Sequence, residues 1–322
     1  MPLDSIRSLV LADLEATNTF LTTELQSPIP IINQLIEYVL AAGGKRIRPL
    51  LVLLSARTAN HHGAEAITLA SAIELIHTAT LLHDDVVDNS SLRRGNATAH
   101  TIWGNEASVL VGDFIYSRAF QLIVKLQNLT VMNIFADATN LIAEGEVLQL
   151  VNCHDPDTTE EAYFAVIQRK TGKLFEVGAQ LGPALAQSSA EQLNFMQTYG
   201  MHLGIAYQLI DDALDYNASV EEMGKNVGND LAEGKPTLPL IYAMRKGTPT
   251  EVALIRKSIE TGTSEQLDSI LEIIESTGAI HYTAQAAKIH AGKANSALIQ
   301  MPNSPYRKAL HDLAEFVVER SY

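Results

Sequence analysis

Apolar residues recur at spacings of three and four along almost the whole chain, the signature of helices with one buried face. No stretch shows the sustained alternation of a strand, and there is no Asn-Gly hairpin signal. The pattern predicts helices over Leu3 to Leu25, Ile31 to Ala42, Pro49 to Thr58, Ala64 to Asn89, Glu106 to Leu126, Thr130 to Asn152, Thr159 to Gln187 and Ala190 to Asn217, with shorter ones reaching Tyr322. The punctuation agrees. Gly43 and Gly44 read as a helix stop, Pro156 precedes a start at Thr158 and Thr159, and Ser188 and Ser189 with Glu191 resemble an N-cap. The expected fold class is therefore all-α. The segment Ser219 to Pro236 carries Gly224, Gly228 and Gly234 with charges of both signs and reads as a loop, suited by its place to act as a lid.

The 322 residues contain no Pro, Gly or Ser-rich linker and no shift in composition, so one domain spanning 1–322 is expected. A hydrophobic content of 47% with only 6% aromatics gives a core of Leu, Ile, Val and Ala, which favours packed helices. The net charge of -14 argues against nucleic acid or anionic membrane as a main partner. A single cysteine, Cys153, excludes an internal disulfide and any cysteine-cluster metal site, and suits a reducing cytoplasm. Met1 to Gln26 is interrupted by Asp4, Asp13, Glu15 and Glu24, unlike a signal peptide. No run of about 18 uncharged apolar residues is present, so no transmembrane segment is expected.

Within this aliphatic sequence two acidic triplets stand out. LLHDDVVDNSSLRRG holds Asp84, Asp85 and Asp88, and LIDDALDYN repeats the spacing with Asp211, Asp212 and Asp215. Residues i and i+4 of a helix share a face, which brings Asp84 near Asp88 and Asp211 near Asp215. Neither triplet has Lys or Arg at i+4, as an ordinary solvated helix face would. Carboxylates crowded on an apolar helix repel one another, and a hard cation relieves the repulsion. Mg²⁺ suits this role because it takes one or two carboxylates and fills its remaining positions with water and phosphate oxygens. The two triplets are expected on facing helices, as in metal sites built inside bundles.

The cations are few and local. GGKRIRP groups Lys45, Arg46 and Arg48 after a helix end, where a guanidinium can fork onto two phosphate oxygens; the same cluster also suits a solvated helix C-terminus. Arg93 and Arg94 closely follow Asp88, and Lys170, Thr171, Lys225 and Lys235 are isolated candidates. His77 lies about two helical turns before Asp84 on the same face, a position equally suited to a packed core residue.

GGKRIRP, ELIHTATLLHDDVVDNSSLRRG, RKTG, YQLIDDALD and GKPTLP, in this order and at these distances, closely resemble the trans-isoprenyl diphosphate synthases, or polyprenyl synthetases. The likeness runs from Gly43 to Pro239, and the ending SPYRKALHDLAEFVVERSY looks like the long-chain members. The resemblance implies an all-helical bundle around a deep central cavity, and a homodimer. It implies catalytic work for Asp84, Asp85, Asp88, Asp211, Asp212 and Lys170. Three Mg²⁺ ions on the allylic diphosphate would be bound by Asp84, Asp88 and Asp211, with Asp215 in contact directly or through water and Asp85 and Asp212 in support. Arg93, Lys170, Thr171, Gln208, Lys225 and Lys235 would hold the allylic substrate, and Lys45, Arg48, His77 and Arg94 isopentenyl diphosphate.

The implied reaction is head-to-tail condensation of isopentenyl diphosphate onto an allylic diphosphate such as farnesyl diphosphate, giving an octaprenyl product for quinone side chains. Ala79 and Thr80, one turn before Asp84, are small where short-chain members carry bulky aromatics; small residues here also suit close helix packing. Ala79→Phe is expected to shorten the product, and Phe114 or Phe120 is expected to form a deeper floor. Three alternatives stay open: a short or medium-chain synthase, a class I terpene cyclase, and a noncatalytic synthase subunit. The second full DDxxD speaks against the cyclase, and two intact triplets speak against the silent subunit.

Overall fold

The computed structural model describes residues 3–217 and 227–319. In chain order these form α1 (Leu3–Ser8), α2 (Leu11–Glu24), α3 (Pro30–Ala41), α4 (Ile47–Thr58), α5 (Glu65–Val87), β1 (Leu92–Arg93), β2 (Asn96–Ala97), α6 (Ala99–Trp103), α7 (Asn105–Lys125), α8 (Leu129–Asn152) and α9 (Glu160–Ile167). A π-turn (Gln168–Gly172) leads into α10 (Lys173–Leu185), followed by α11 (Ala190–Asp215), α12 (Asn229–Ala232), α13 (Leu238–Lys246), α14 (Pro249–Thr261), α15 (Leu267–Thr277), α16 (Ala279–Leu298) and α17 (Pro305–Glu319). The protein is all-α, as the periodicity predicts.

Three local departures from the pattern matter. The first predicted helix breaks at Leu9 and Val10. Leu92 to Ala97 form a two-residue antiparallel ladder where no strand is expected. Its turn places Arg94 and Gly95 at φ +53° and +78°, the two left-handed positions of a tight hairpin that Asn-Gly usually fills. The long helix expected from Thr159 to Gln187 is interrupted by the π-turn, and that turn is the QRKTG segment itself.

The fold comprises two compact units. One takes in Met1–Ala136, Val177–Gln197 and Ile299–Asp312, the other Asp137–Glu176, Thr198–Leu298 and Leu313–Tyr322. Their boundaries fall inside α8, α10, α11 and α17 and at the end of α16, not in a linker. In the first unit α5 packs on α2, α4 and α7. Helix α4 is covered on every side, with Leu50, Leu51, Val52, Leu53 and Leu54 all buried, so it reads as a continuous apolar run. In the second unit α13 packs on α14, α15 and α16 over a core that includes Leu231, Leu240, Ile255, Ile259, Ile270 and Ile274.

Helices α5 and α7 are long and apolar enough to cross a membrane by composition, each with an 18-residue window of mean hydropathy 1.3. They pack on each other, and α5 buries Glu74 and Asp85, groups that a lipid-facing helix could not carry at low cost.

Candidate active site

The first acidic triplet closes α5. Asp84 and Asp85 lie in its last turn and Asp88 is its C-cap, the Asp88 N–H donating to the Asp84 carbonyl at 2.8 Å. The second triplet closes α11 in the same way, ending at Asp215. No basic residue occupies the last turn of either helix. Three carboxylates at the negative end of a helix dipole are at the wrong end for stability, and a bound cation is what reverses that sign.

In each triplet the middle Asp is buried while the outer two are half-buried. Asp85, 4% exposed, accepts from Arg93 Nε and Nη2, both at 2.7 Å from Oδ1. Burial pushes the Asp85 carboxyl up, and the Arg93 guanidinium opposes the rise. Asp212, 3% exposed, accepts from Tyr163 Oη at 2.5 Å on Oδ2 and from Gln208 Nε2 at 2.7 Å on Oδ1. Burial pushes Asp212 up to about 8, with Asp230 adding to the rise and the two donors opposing it. Asp215 accepts the N–H groups of Asn229 at 3.3 Å and Asp230 at 3.1 Å, which pins the start of α12; burial raises its pKa to about 6.

A pH dependence follows. The folded protein holds the Asp212 proton more tightly than the unfolded chain, where the carboxyl titrates near 4. The stability it contributes is complete below that value and is lost as pH rises through about 8. The Tm of the metal-free protein is therefore expected to fall progressively between about pH 4 and 8 and to level off above that, where Asp212 is ionised in the folded and unfolded states alike. Asp212→Asn should flatten that fall, as read by calorimetry in chelator.

Four arginines of the first unit gather around His77. Arg48 Nη1 lies 3.1 Å from His77 Nε2. Burial, then the charges of Arg48, Arg94, Arg93 and Arg46, hold His77 well below the usual imidazole value, so the ring is neutral and Nε2 accepts from Arg48. Arg46, at φ +48°, ion-pairs with buried Glu74. Arg94 donates to the Gly43 carbonyl, and Arg7 Nη2 donates to the Lys45 carbonyl at 2.6 Å. The structure thus brings Arg46, Arg48, His77, Arg93 and Arg94 into one electropositive patch, with two arginines in left-handed backbone positions that non-glycine residues seldom occupy.

In the second unit, Lys170 pairs with Glu146 at 2.5 Å and Thr171 Oγ1 donates to Gln208 Oε1 at 2.8 Å. Lys235 pairs with Glu233 at 2.5 Å. Lys225 and the first part of the expected lid, residues 219–226, lie outside the described residues, while Asn229–Ala232 are helical. The π-turn widens the rod at Lys170 and Thr171, a distortion that often marks a functional position. Glycines on the flanking helices admit it. A Cβ on Gly204 would sit 2.8 Å from Gly172 Cα and 2.9 Å from Phe175 Cβ, and one on Gly145 would sit 2.7 Å from Arg169 Cβ. Gly204→Ala must displace rigid atoms, so it is expected to cost about 1–3 kcal/mol of stability, as calorimetry would read.

Of the chain-length candidates, Ala79 has no exposed surface and Thr80 is half-buried, its hydroxyl donating to the His77 carbonyl at 2.9 Å. Phe114 lies 5.3 Å beneath the Arg118 guanidinium, and Phe120 packs on Tyr116 at 5.4 Å between ring centroids. Glu74, Glu146 and Tyr163 were not singled out by sequence reasoning. Each meets its partner across a long separation in sequence and leaves no local pattern.

Among the described residues no three His, Cys, Asp or Glu side chains form a ready-made metal cage. Each triplet is a group of carboxylates at a helix end, of a kind that suits a hard cation completing its shell with water and phosphate oxygens.

An all-helical protein with two such carboxylate ends, an arginine patch and a Lys-Thr π-turn has the parts of an enzyme that handles diphosphates. The chain belongs to the polyprenyl synthetase family, whose model matches residues 29–276. It is 50% identical to the octaprenyl diphosphate synthase of Escherichia coli over 99% of both chains. It is 43% identical to an all-trans-nonaprenyl-diphosphate synthase of Rhodobacter capsulatus, covering 97% of this chain and 96% of that one. The polyprenyl synthase of Caulobacter crescentus, solved with calcium and isoprenyl diphosphate, superposes with a TM-score of 0.95 at 43% identity, covering 99% and 98% of the two chains.

Proposed function

We propose that this enzyme is a long-chain trans-polyprenyl diphosphate synthase that builds octaprenyl diphosphate from isopentenyl diphosphate and an allylic starter such as farnesyl diphosphate, for quinone side chains. The observation that carries this reading is the pair of carboxylate triplets at helix C-termini, without basic residues in either last turn. The octaprenyl length is supported by the product named for the Escherichia coli relative.

Three Mg²⁺ ions held by Asp84, Asp88, Asp211 and Asp215 would neutralise the allylic diphosphate as it departs. Lys170, Thr171, Gln208, Lys225, Lys235 and Arg93 hold that diphosphate, and Lys45, Arg48, His77 and Arg94 hold isopentenyl diphosphate. Neutral His77 accepts from Arg48 and so orients the guanidinium toward its anion. The allylic C–O bond breaks with its electron pair leaving on diphosphate. The isopentenyl double bond attacks the allylic cation, and loss of a proton, with diphosphate as acceptor, restores a double bond in a product one isoprene unit longer. The aliphatic core excludes water from the cation. No protein nucleophile takes part.

A single domain over 1–322, a cytoplasmic setting and a homodimer belong to the same reading. The dimer accords with Val109, Leu110 and Val124, which lie exposed along α7. Purified protein incubated with Mg²⁺, farnesyl diphosphate and labelled isopentenyl diphosphate should yield octaprenyl products after dephosphorylation, and none in excess chelator. No incorporation with any allylic starter would overturn the assignment.

A further inference from the structure

Five of the residues assigned to the allylic diphosphate and its metal ions lie on two rods: Lys170 and Thr171 in the π-turn after α9, and Gln208, Asp211 and Asp212 on α11. The rods are tied at two points. Thr171 Oγ1 donates to Gln208 Oε1 at 2.8 Å, and Tyr163 Oη, from α9, donates to Asp212 Oδ2 at 2.5 Å. Gln208 Nε2 closes the circuit onto Asp212 Oδ1 at 2.7 Å. When Asp212 is ionised it can only accept, and the order Thr171, Gln208, Asp212, Tyr163 then sets the direction of each hydrogen bond: the Gln208 amide turns its nitrogen to Asp212 and its oxygen to Thr171.

Tyr163 is 5% exposed, and none of the roles considered so far uses it. Its hydroxyl holds one oxygen of a carboxylate whose other oxygen holds Gln208. Without that donor the Asp212 carboxylate is free to turn about its terminal torsion, and the orientation passed to Gln208 and Thr171 is lost. Helix α9 is itself held firmly: Glu160, one turn before Tyr163, accepts from Arg245 Nη1 at 3.1 Å and Tyr282 Oη at 2.8 Å, and the Tyr242 and Tyr282 rings stack at 4.0 Å.

We propose that Tyr163 is a positioning residue for the allylic diphosphate subsite, acting through Asp212 on Gln208 and Thr171. This rests on the prenyl-transfer reading above. It requires that loss of the hydroxyl alone weaken the allylic subsite while leaving the isopentenyl subsite and the fold intact.

The test is Tyr163→Phe, with calorimetric binding of the unreactive analogue farnesyl thiodiphosphate in Mg²⁺, binding of isopentenyl diphosphate, and Tm, each compared with wild type. The expected result is a Kd for the thiodiphosphate about tenfold higher, the scale of losing one buried hydrogen bond, with the isopentenyl diphosphate Kd unchanged and the Tm lowered by no more than about a few degrees. In an Asp212→Asn background, Tyr163→Phe should add less than about twofold, because the two act as a unit. Unchanged thiodiphosphate binding overturns the proposal, as does equal weakening of both ligands with a larger fall in Tm, or effects of the two substitutions that simply multiply. If the wild-type protein itself fails to bind the thiodiphosphate in Mg²⁺, the prenyl-transfer reading falls instead.

Discussion

Asp84→Ala is expected to lower kcat by about a thousandfold or more, the scale of losing the charge stabilisation on which ionisation depends. Asp84 is half-buried in the last turn of α5, one turn from Asp88, with buried Asp85 beside it. All three carboxylates face the negative end of the helix dipole, so removing one eases a repulsion in the metal-free protein. The variant should be folded, with a metal-free Tm close to that of the wild type, because Asp84 is only half-buried. Collapse of turnover together with an undiminished Tm separates a metal ligand from a structural carboxylate. Turnover near the wild-type rate would remove Asp84 from the metal site.

Thr80→Phe is expected to shift the product distribution to chains several units shorter. If the tail runs down α5 from the reacting carbon, the residues one turn before Asp84 form its first floor. Of the two candidates, Thr80 is half-buried and has surface to give, whereas Ala79 has none. Phenylalanine at 79 would have to displace packed neighbours, so Ala79→Phe should lower stability by about 1–3 kcal/mol before it reports on chain length. The substitution at 80 is the cleaner probe. Chromatography of the dephosphorylated products reads it directly, and an unchanged distribution from a folded Thr80→Phe protein would mean that the tail runs elsewhere.

Much of this protein is local and so can be read from the chain. The helices follow from a period that every turn repeats, and the acidic triplets follow from i and i+4 positions that any helix places on one face. Gly43 with Gly44, and Thr159, mark helix ends because caps involve neighbours in sequence; Thr159 Oγ1 accepts the Ala162 N–H at 3.2 Å, as its position predicts. The two-residue ladder at Arg93 escaped notice because its turn uses Arg94-Gly95 where Asn-Gly is the usual signal.

Other features depend on what a residue meets across the fold. The π-turn at Gln168–Gly172 has helical apolar spacing and looks continuous until Gly145 and Gly204 bring other helices against it. The roles of Glu74 toward Arg46, of Glu146 toward Lys170 and of Tyr163 toward Asp212 have no signature in sequence, because each partner is brought near only by packing. The same holds for the difference between the carboxylates of one triplet. Spacing makes them alike, and it is burial, complete for the middle Asp and partial for its neighbours, that sets one apart. Composition and periodicity determined the helices and the charges they carry; tertiary packing decided which of those charges are buried and which groups hold them in place, because desolvation and hydrogen bonding depend on neighbours that the linear chain does not define.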